Sequence, residues 1–244
     1  MVDLGGTAPR VSVIVIAWNE AEALRRLLPE ILTAGIDEVI VVDGASTDGT
    51  SDVARQLGAR VVAQSGRGYG NACLSGAIAA TGEILVYLDG DYADDPAELP
   101  RVVEPLLAGR AELVVGTRDG PGTEAGALPR HQRLGNRLIA ILLRALYGVR
   151  LSDPGSYRAI RRDALLALDL RQMTHGWPVE MIVSASKAGL RIEGVPVRYR
   201  RRIGISKVGG TRSGSLKAGY RMLAVIASNA RSQRRHGTST TGQR

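Results

Sequence analysis

The chain has 244 residues, 44% of them apolar, one cysteine and a net charge of +8. That length suits one large α/β domain or two small ones with a substantial core; the lone Cys73 excludes an internal disulfide and reads as a small core residue, and no stretch approaches the roughly 20 apolar residues that cross a bilayer. The charge is uneven, because residues 191–244 hold thirteen Lys and Arg against the single acidic Glu193, about +12, which leaves about −4 for residues 1–190; the last quarter suits an anionic partner such as nucleic acid, acidic lipid or a nucleotide diphosphate.

In chain order, Met1–Arg10 has no apolar core of the kind a signal peptide needs, so a cytoplasmic protein, or one attached only to a membrane surface, is expected. Val11–Ala17 reads as a buried strand, followed by Trp18-Asn19-Glu20 and a helical pattern through Ala23, Leu24, Leu27, Leu28 and Ile31 to Gly35. A second strand, Val39–Val42, ends at Asp43-Gly44, with Asp48 or Thr50 placed to cap a helix through Val53, Ala54 and Leu57. A short strand Arg60–Ala63 and the loop Gly66-Arg67-Gly68-Tyr69-Gly70-Asn71 lead into a further helix. The apolar run Ile84–Leu88 then ends in Asp89-Gly90-Asp91. Carboxylates at a strand's C-terminal end sit where an open α/β sheet puts its ligands, and two of them around one glycine can turn toward a hard cation such as Mg²⁺ or Mn²⁺ bound to a diphosphate. An ordinary surface turn gives the same pattern without a metal.

The repeated βα units predict a mostly parallel sheet with helices on both faces, a Rossmann-like α/β fold. The first strand runs into Trp-Asn-Glu rather than Gly-x-Gly-x-x-Gly, which argues against a dinucleotide site, and the Walker pattern is absent. Four stretches, Ala17–Glu20, Glu38–Thr50, Gly66–Asn71 and Asp89–Asp91, stand in the order and spacing of the inverting family 2 glycosyltransferases of GT-A fold, which the chain resembles over roughly residues 11–228. The resemblance implies a nucleotide-sugar donor and Mg²⁺ or Mn²⁺. It implies that Asp43 accepts a hydrogen bond from the nucleobase, that Ala17, Asn19 and Glu20 line the nucleoside pocket with Trp18 beside it, that Gly66, Arg67 and Gly70 belong to a loop closing over the base, and that Asp89 and Asp91, bent at Gly90, hold the metal and diphosphate. Two departures stand out: Ala17 replaces the family's proline, and Ala93 replaces a polar ligand often found two residues beyond the second Asp, where Asp94, Asp95 or water can substitute.

Farther on, Leu113–Arg118 reads as a strand, Asp119–Pro129 as a loop of the length that serves as an acceptor lid, and Gln132–Tyr147 as a core or interfacial helix. Asp153–Ala159 and Gly176–Met181 resemble acceptor-side motifs of the polyprenyl-phosphate hexosyltransferase branch, here without its membrane helices. The basic stretch Arg200–Lys207, with Arg202 and Lys207, is implied to close on the donor and acceptor phosphates. A hydroxyl acceptor needs a general base, for which Glu180 is the first candidate and Asp153 the second; a phosphate acceptor is already ionised and needs none. The apolar run within Leu216–Ala230 suits an anionic membrane surface, a dimer face or packing on its own domain.

The expectation is one domain over 1–230, its donor half at about 11–118 and its acceptor half at 119–230, with a disordered basic tail at 231–244. The expected activity is metal-dependent, inverting transfer of a hexose, from UDP-glucose or UDP-N-acetylglucosamine ahead of GDP-mannose, to a lipid phosphate or a small hydroxyl acceptor. A nucleotidyltransferase is the alternative enzyme reading. A basic nucleic-acid-binding module is a third, with only Tyr199 and Tyr220 near the cations to support it, so no nucleic-acid partner is expected. Peripheral membrane contact through the basic C-terminal region and homodimer formation are the further partner expectations.

Overall fold

The computed structural model describes residues 9–204 and 219–229. Its elements run β1 (Val11–Ala17), α1 (Ala21–Leu32), β2 (Glu38–Asp43), α2 (Thr50–Gln56), β3 (Arg60–Ala63), α3 (Tyr69–Ala79), β4 (Ile84–Asp89), a 3₁₀ turn (Pro96–Glu98), α4 (Leu99–Leu107), β5 (Leu113–Thr117), α5 (Arg130–Tyr147), β6 (Arg158–Arg161), α6 (Arg162–Ala167), α7 (Trp177–Lys187) and β7 (Ile192–Pro196). A final helical stretch covers 219–229. The strands form one sheet in the order β3-β2-β1-β4-β6-β5-β7, parallel throughout except for β6, which runs antiparallel to both β4 and β5. This is the expected mostly parallel α/β sheet with helices on both faces.

Burial explains the apolar runs, since strands covered on both faces have no polar side to present. Val13, Val15, Val41, Val86 and Leu88 face one layer with Leu24, Leu27 and Leu28 of α1 and Val102 and Leu106 of α4. Their alternate neighbours Ile14, Ile40, Val42, Leu85 and Tyr87 face the other, with Ala72, Cys73 and Ala77 of α3, Leu143 of α5 and Ile182 of α7. Helix α3 lies close on the sheet because it presents small residues: a Cβ on Gly76 would come within 2.4 Å of Ile14 Cγ2. Cys73 is a buried free thiol, as its composition and position suggested.

Two strands are not legible as strands in the sequence. β6 is only Arg-Ala-Ile-Arg, and β7 mixes a glutamate, a glycine and a proline. Capping also differs. The N-cap of α2 is Gly49, in the left-handed region at φ 87°, and the side chains expected to cap it serve two helices at once. Asp48 accepts the Thr50 amide at 3.0 Å and, through its other oxygen, the Ala21 amide at 3.0 Å, while Thr50 Oγ1 accepts the Glu20 amide at 2.9 Å. The start of α1 is thereby satisfied from 27 to 30 residues away, a partner that local sequence cannot reveal.

At the opposite end of the sheet Glu38 ties three segments together. Its carboxylate accepts from Ser12 Oγ (2.6 Å), Thr81 N (2.8 Å), Thr81 Oγ1 (3.1 Å) and Arg60 Nη1 (3.1 Å). Burial pushes this carboxyl up, but the hydrogen bonds outweigh burial and hold it below the usual glutamate value. A lowered carboxylate stabilises the fold above its ordinary pKa, and that contribution is lost as pH falls through the lowered value. In urea melts at stepped pH, Glu38→Gln is expected to cost about 1–2 kcal/mol near neutrality, with the gap to wild type closing as the pH falls below about 4.

Candidate active site

The register of the central strands brings the separate motifs together. Ala17 lies opposite Asp43 on β2, and Ile16 lies opposite Asp89 on β4, so the three strand ends stand side by side where the sheet order reverses, the usual ligand position of an open α/β sheet. Over them opens a cavity of about 1270 Å³. From the N-terminal half its wall includes Ala17, Trp18, Glu20, Gly66, Arg67, Asp89, Gly90 and Asp91; later parts of the chain add Arg118, His175, Tyr199, Arg201 and Arg202.

The turn after β4 is fixed tightly. Gly90 donates to Ile16 O at 2.8 Å, and a Cβ there would lie 2.9 Å from that oxygen, so the position needs glycine. Asp91 is 3% exposed; its Oδ1 accepts the Ala93 amide at 3.0 Å and its Oδ2 pairs with Arg202 Nη2. Between them Tyr92 sits at φ 72°, a conformation that costs a bulky residue of order 1–3 kcal/mol. It is held there by its hydroxyl on Glu30 at 2.6 Å and by the Arg200 guanidinium 4.6 Å over its ring. Asp89 Oδ1 accepts from Tyr69 Oη at 3.0 Å. Behind it Asp94 is fully buried and accepts the Asp89 amide at 3.1 Å; burial, then the Asp89 charge, push its carboxyl up to about 7.

Among the described residues no cluster of three His, Cys, Asp or Glu side chains converges on one point. Asp89 and Asp91 nevertheless give two hard oxygen donors on the cavity wall. Two carboxylates completed by phosphate oxygens and water is a common way for protein to hold Mg²⁺, so the donor set fits a cation shared with a diphosphate. Neither substitute considered for the missing third ligand faces the cavity. Asp94 is buried beneath it, and Asp95 is engaged by Arg200 at 2.5 Å and Arg198 at 3.1 Å.

Three residues expected at the nucleoside pocket stand behind its wall. Asn19, at φ 53°, accepts the Thr47 amide at 2.8 Å and donates its own amide to Ser46 Oγ at 2.8 Å. Asp43 holds the same turn, through Ser46 Oγ at 2.5 Å and Ser51 Oγ at 2.6 Å. Gly70 packs on backbone, since a Cβ there would meet Gln172 O at 2.3 Å, and one on Gly68 would meet Met173 O at 2.3 Å. The glycine-rich loop is therefore built to receive the segment before α7, while Gly66 and Arg67 reach the cavity.

The structure gives the two candidate bases other partners and brings neither to the cavity wall. Glu180 Oε2 accepts the amides of Arg171 (3.0 Å) and Gln172 (2.7 Å), pinning the segment that packs on Gly68 and Gly70. Asp153 is 2% exposed and grips Arg118 in a fork, Nε–Oδ2 2.6 Å and Nη2–Oδ1 3.0 Å, with Asn136 Nδ2 at 2.6 Å. Arg118 in turn lies 5.1 Å over the Tyr199 ring. Arg118, Tyr69 and His175 were not singled out from the sequence, and Tyr199 only as an aromatic near the cations; a cation ending a buried strand, as Arg118 does, is the signal that could have found one of them. Of the basic stretch, Arg200 turns away to Glu30 (2.9 Å) and Asp95, whereas Arg201 and Arg202 line the cavity. Lys207 and the tail 231–244 lie outside the described residues.

A sequence model described as glycosyl transferase family 2 matches residues 12–168. The chain is 38% identical over 219 residues to an uncharacterized glycosyltransferase of Mycobacterium tuberculosis, covering 89% of this chain and 98% of that one. It is 33% identical over 201 residues to a dolichyl-phosphate hexose transferase of Haloferax volcanii, covering 81% and 86%. Its fold matches glucosyl-3-phosphoglycerate synthase of M. tuberculosis, solved with Mg²⁺ and uridine diphosphate, with a TM-score of 0.74 at 25% identity over 91% of this chain and 79% of that one.

The two roles open to Glu180 separate experimentally. Removing the acceptor of two backbone amides with Glu180→Ala should cost about 1–3 kcal/mol in urea melts, and Glu180→Gln, which still presents an oxygen, should recover most of that and most of the turnover. A general base would not tolerate Gln, so equal loss of turnover in both variants would restore the catalytic role.

Proposed function

The chain belongs to glycosyl transferase family 2, and we propose that it transfers a hexose from a nucleotide-sugar to a polyprenyl phosphate, inverting the anomeric carbon, with Mg²⁺ or Mn²⁺ shared between protein and donor. One observation carries this reading: a single cavity pairs two strand-end carboxylates, Asp89 and Asp91, with the guanidinium groups of Arg67, Arg118, Arg201 and Arg202. Carboxylates alone would repel a diphosphate, and cations alone would not hold a metal; a metal–diphosphate needs both. The neighbour solved with Mg²⁺ and uridine diphosphate supports a uridine nucleotide, UDP-glucose or UDP-N-acetylglucosamine first and GDP-mannose second. The relative named for dolichyl phosphate supports the acceptor class.

Breaking the anomeric C–O bond leaves negative charge on the diphosphate. Asp89 and Asp91 would hold a divalent cation there, which would supply positive charge against it. Arg67 and Arg202 add fixed positive charge on that side, and Arg118, locked by Asp153, presents its charge to an incoming anion without reorganising. Among the described residues the cavity's acceptor side, from Arg118 to Arg202, carries no Asp or Glu. A phosphate monoester, with a second pKa near 6, attacks without surrendering a proton, which favours it over an alcohol.

A second reading rests on His175, which lines the cavity with its ring 6.1 Å from that of Tyr69. Burial first, then Arg221, lower its pKa below the usual histidine value, so the imidazole is neutral at pH 7 and able to take a proton from a hydroxyl. His175→Gln should cost at least about a hundredfold in kcat with a hydroxyl acceptor and should leave a phosphate acceptor nearly unaffected.

Thermal shift with UDP, GDP and their sugars, each with and without Mn²⁺, tests the donor: the true ligand at a hundredfold its Kd should add about 2.7 kcal/mol. No metal-dependent shift with any of them would overturn the reading. Asp91→Asn should abolish that metal dependence and lower kcat by at least about a hundredfold with little change in Tm of the free protein, because its partner Arg202 is already partly in solvent.

A further inference from the structure

Helix α5 carries a feature that neither the core nor the cavity uses. It buries Ile139, Ala140 and Leu143, and it lines the cavity through Gln132, Asn136 and Ile139. On the other side Leu134, Leu138 and Ile141 stand 72%, 48% and 57% exposed. Their spacing of four and three residues puts all three on one stripe, and isolated leucines are ordinary on a surface where an aligned row is not. Beside that stripe Arg130, Arg133, Arg137 and Arg144 are all exposed, and the helix contains no acidic residue.

Arg144, in the last turn, complements the helix dipole, but the arginines at the other end do not. Arg130 and Arg133 occupy its first turn, where the macrodipole disfavours cations, so their charge points to something outside the chain. An apolar stripe flanked by arginines is the pattern of a helix lying in the plane of a bilayer, its aliphatic side chains below the headgroups and its guanidinium groups on lipid phosphates. Among the described residues no helix is long and apolar enough to cross a membrane, so the contact would be in-plane. A second copy fits the face less well, because a two-fold pairing of this stripe would bring two sets of four arginines together.

We propose that α5 docks the protein on an anionic lipid surface through Leu134, Leu138 and Ile141. This places the membrane contact on α5 rather than on the basic C-terminal region. The inference does not depend on the acceptor assignment, since vesicle binding is read without turnover; a failure of either leaves the other testable.

The test is co-sedimentation of the full chain with vesicles of phosphatidylglycerol and phosphatidylcholine in equal parts. Wild type is expected to sediment, and the triple variant Leu134→Ser, Leu138→Ser, Ile141→Ser to bind at least about tenfold more weakly, with an unchanged circular dichroism spectrum and Tm because all three side chains are exposed. Wild type remaining in the supernatant would overturn the proposal. So would a triple variant that sediments like wild type, which would assign the binding to the basic tail. Light scattering adds a third outcome: a wild-type dimer that the triple variant dissociates would give the face to a second copy and overturn the lipid reading.

Discussion

The cavity depends on how closely the turn after β4 closes against the end of β1. The Gly90 amide reaches Ile16 O at 2.8 Å, with no room for a side chain between them. That contact sets the height of Asp89 and Asp91 above the sheet. From there Tyr92, forced into the left-handed region, turns the chain so that Asp91 meets the cavity and Tyr92 itself meets Glu30 and Arg200. Backbone strain of this kind persists only where the surroundings over-determine it, and here an ion pair, a hydrogen bond and a cation–π contact do so.

The part of the cavity built after β5 is organised by two arginines that do opposite things. Arg118 brings charge to the cavity and is held by a buried carboxylate, so its position is fixed and its charge is compensated. Arg158 is 1% exposed and gives its guanidinium to main-chain carbonyls: Gly155 at 2.6 Å and Pro178 at 2.5 Å among them. Burial pulls its pKa down to about 10, still high enough to keep it charged at pH 7. It joins the start of β6 to the start of α7, and through α7 to Glu180 and the segment under the glycine-rich loop. The glycine-rich loop and the C-terminal part of the sheet are thus coupled through packed backbone around one buried cation.

Much of the N-terminal half was legible in the sequence, because central parallel strands are apolar from end to end and their polar ends announce themselves. The motifs at Ala17–Glu20, Asp43 and Asp89–Asp91 fall at the strand ends as expected. Side-chain destinations were less legible. Asn19 and Asp43 spend their polar atoms on the turn between them, and Glu180 and Asp153 hold amides and a guanidinium, since a carboxylate's partner is set by what folds beside it. β6 was invisible for a related reason: four residues bounded by arginines do not look like a buried strand, and only the antiparallel pairing with β4 and β5 makes them one.

The sequence by itself determined the sheet's apolar strands, the helices on both faces, the glycine between two carboxylates and the amphipathic pattern of α5, because each is a local property of residue type and spacing. Tertiary structure decided which polar groups reach the cavity, which are consumed in holding it, and which face of α5 stays uncovered. Several of those outcomes depend on distant partners, Ser46 for Asn19 at 27 residues and Glu30 for Arg200 at 170, and no local pattern encodes a contact that exists only once the chain has closed on itself.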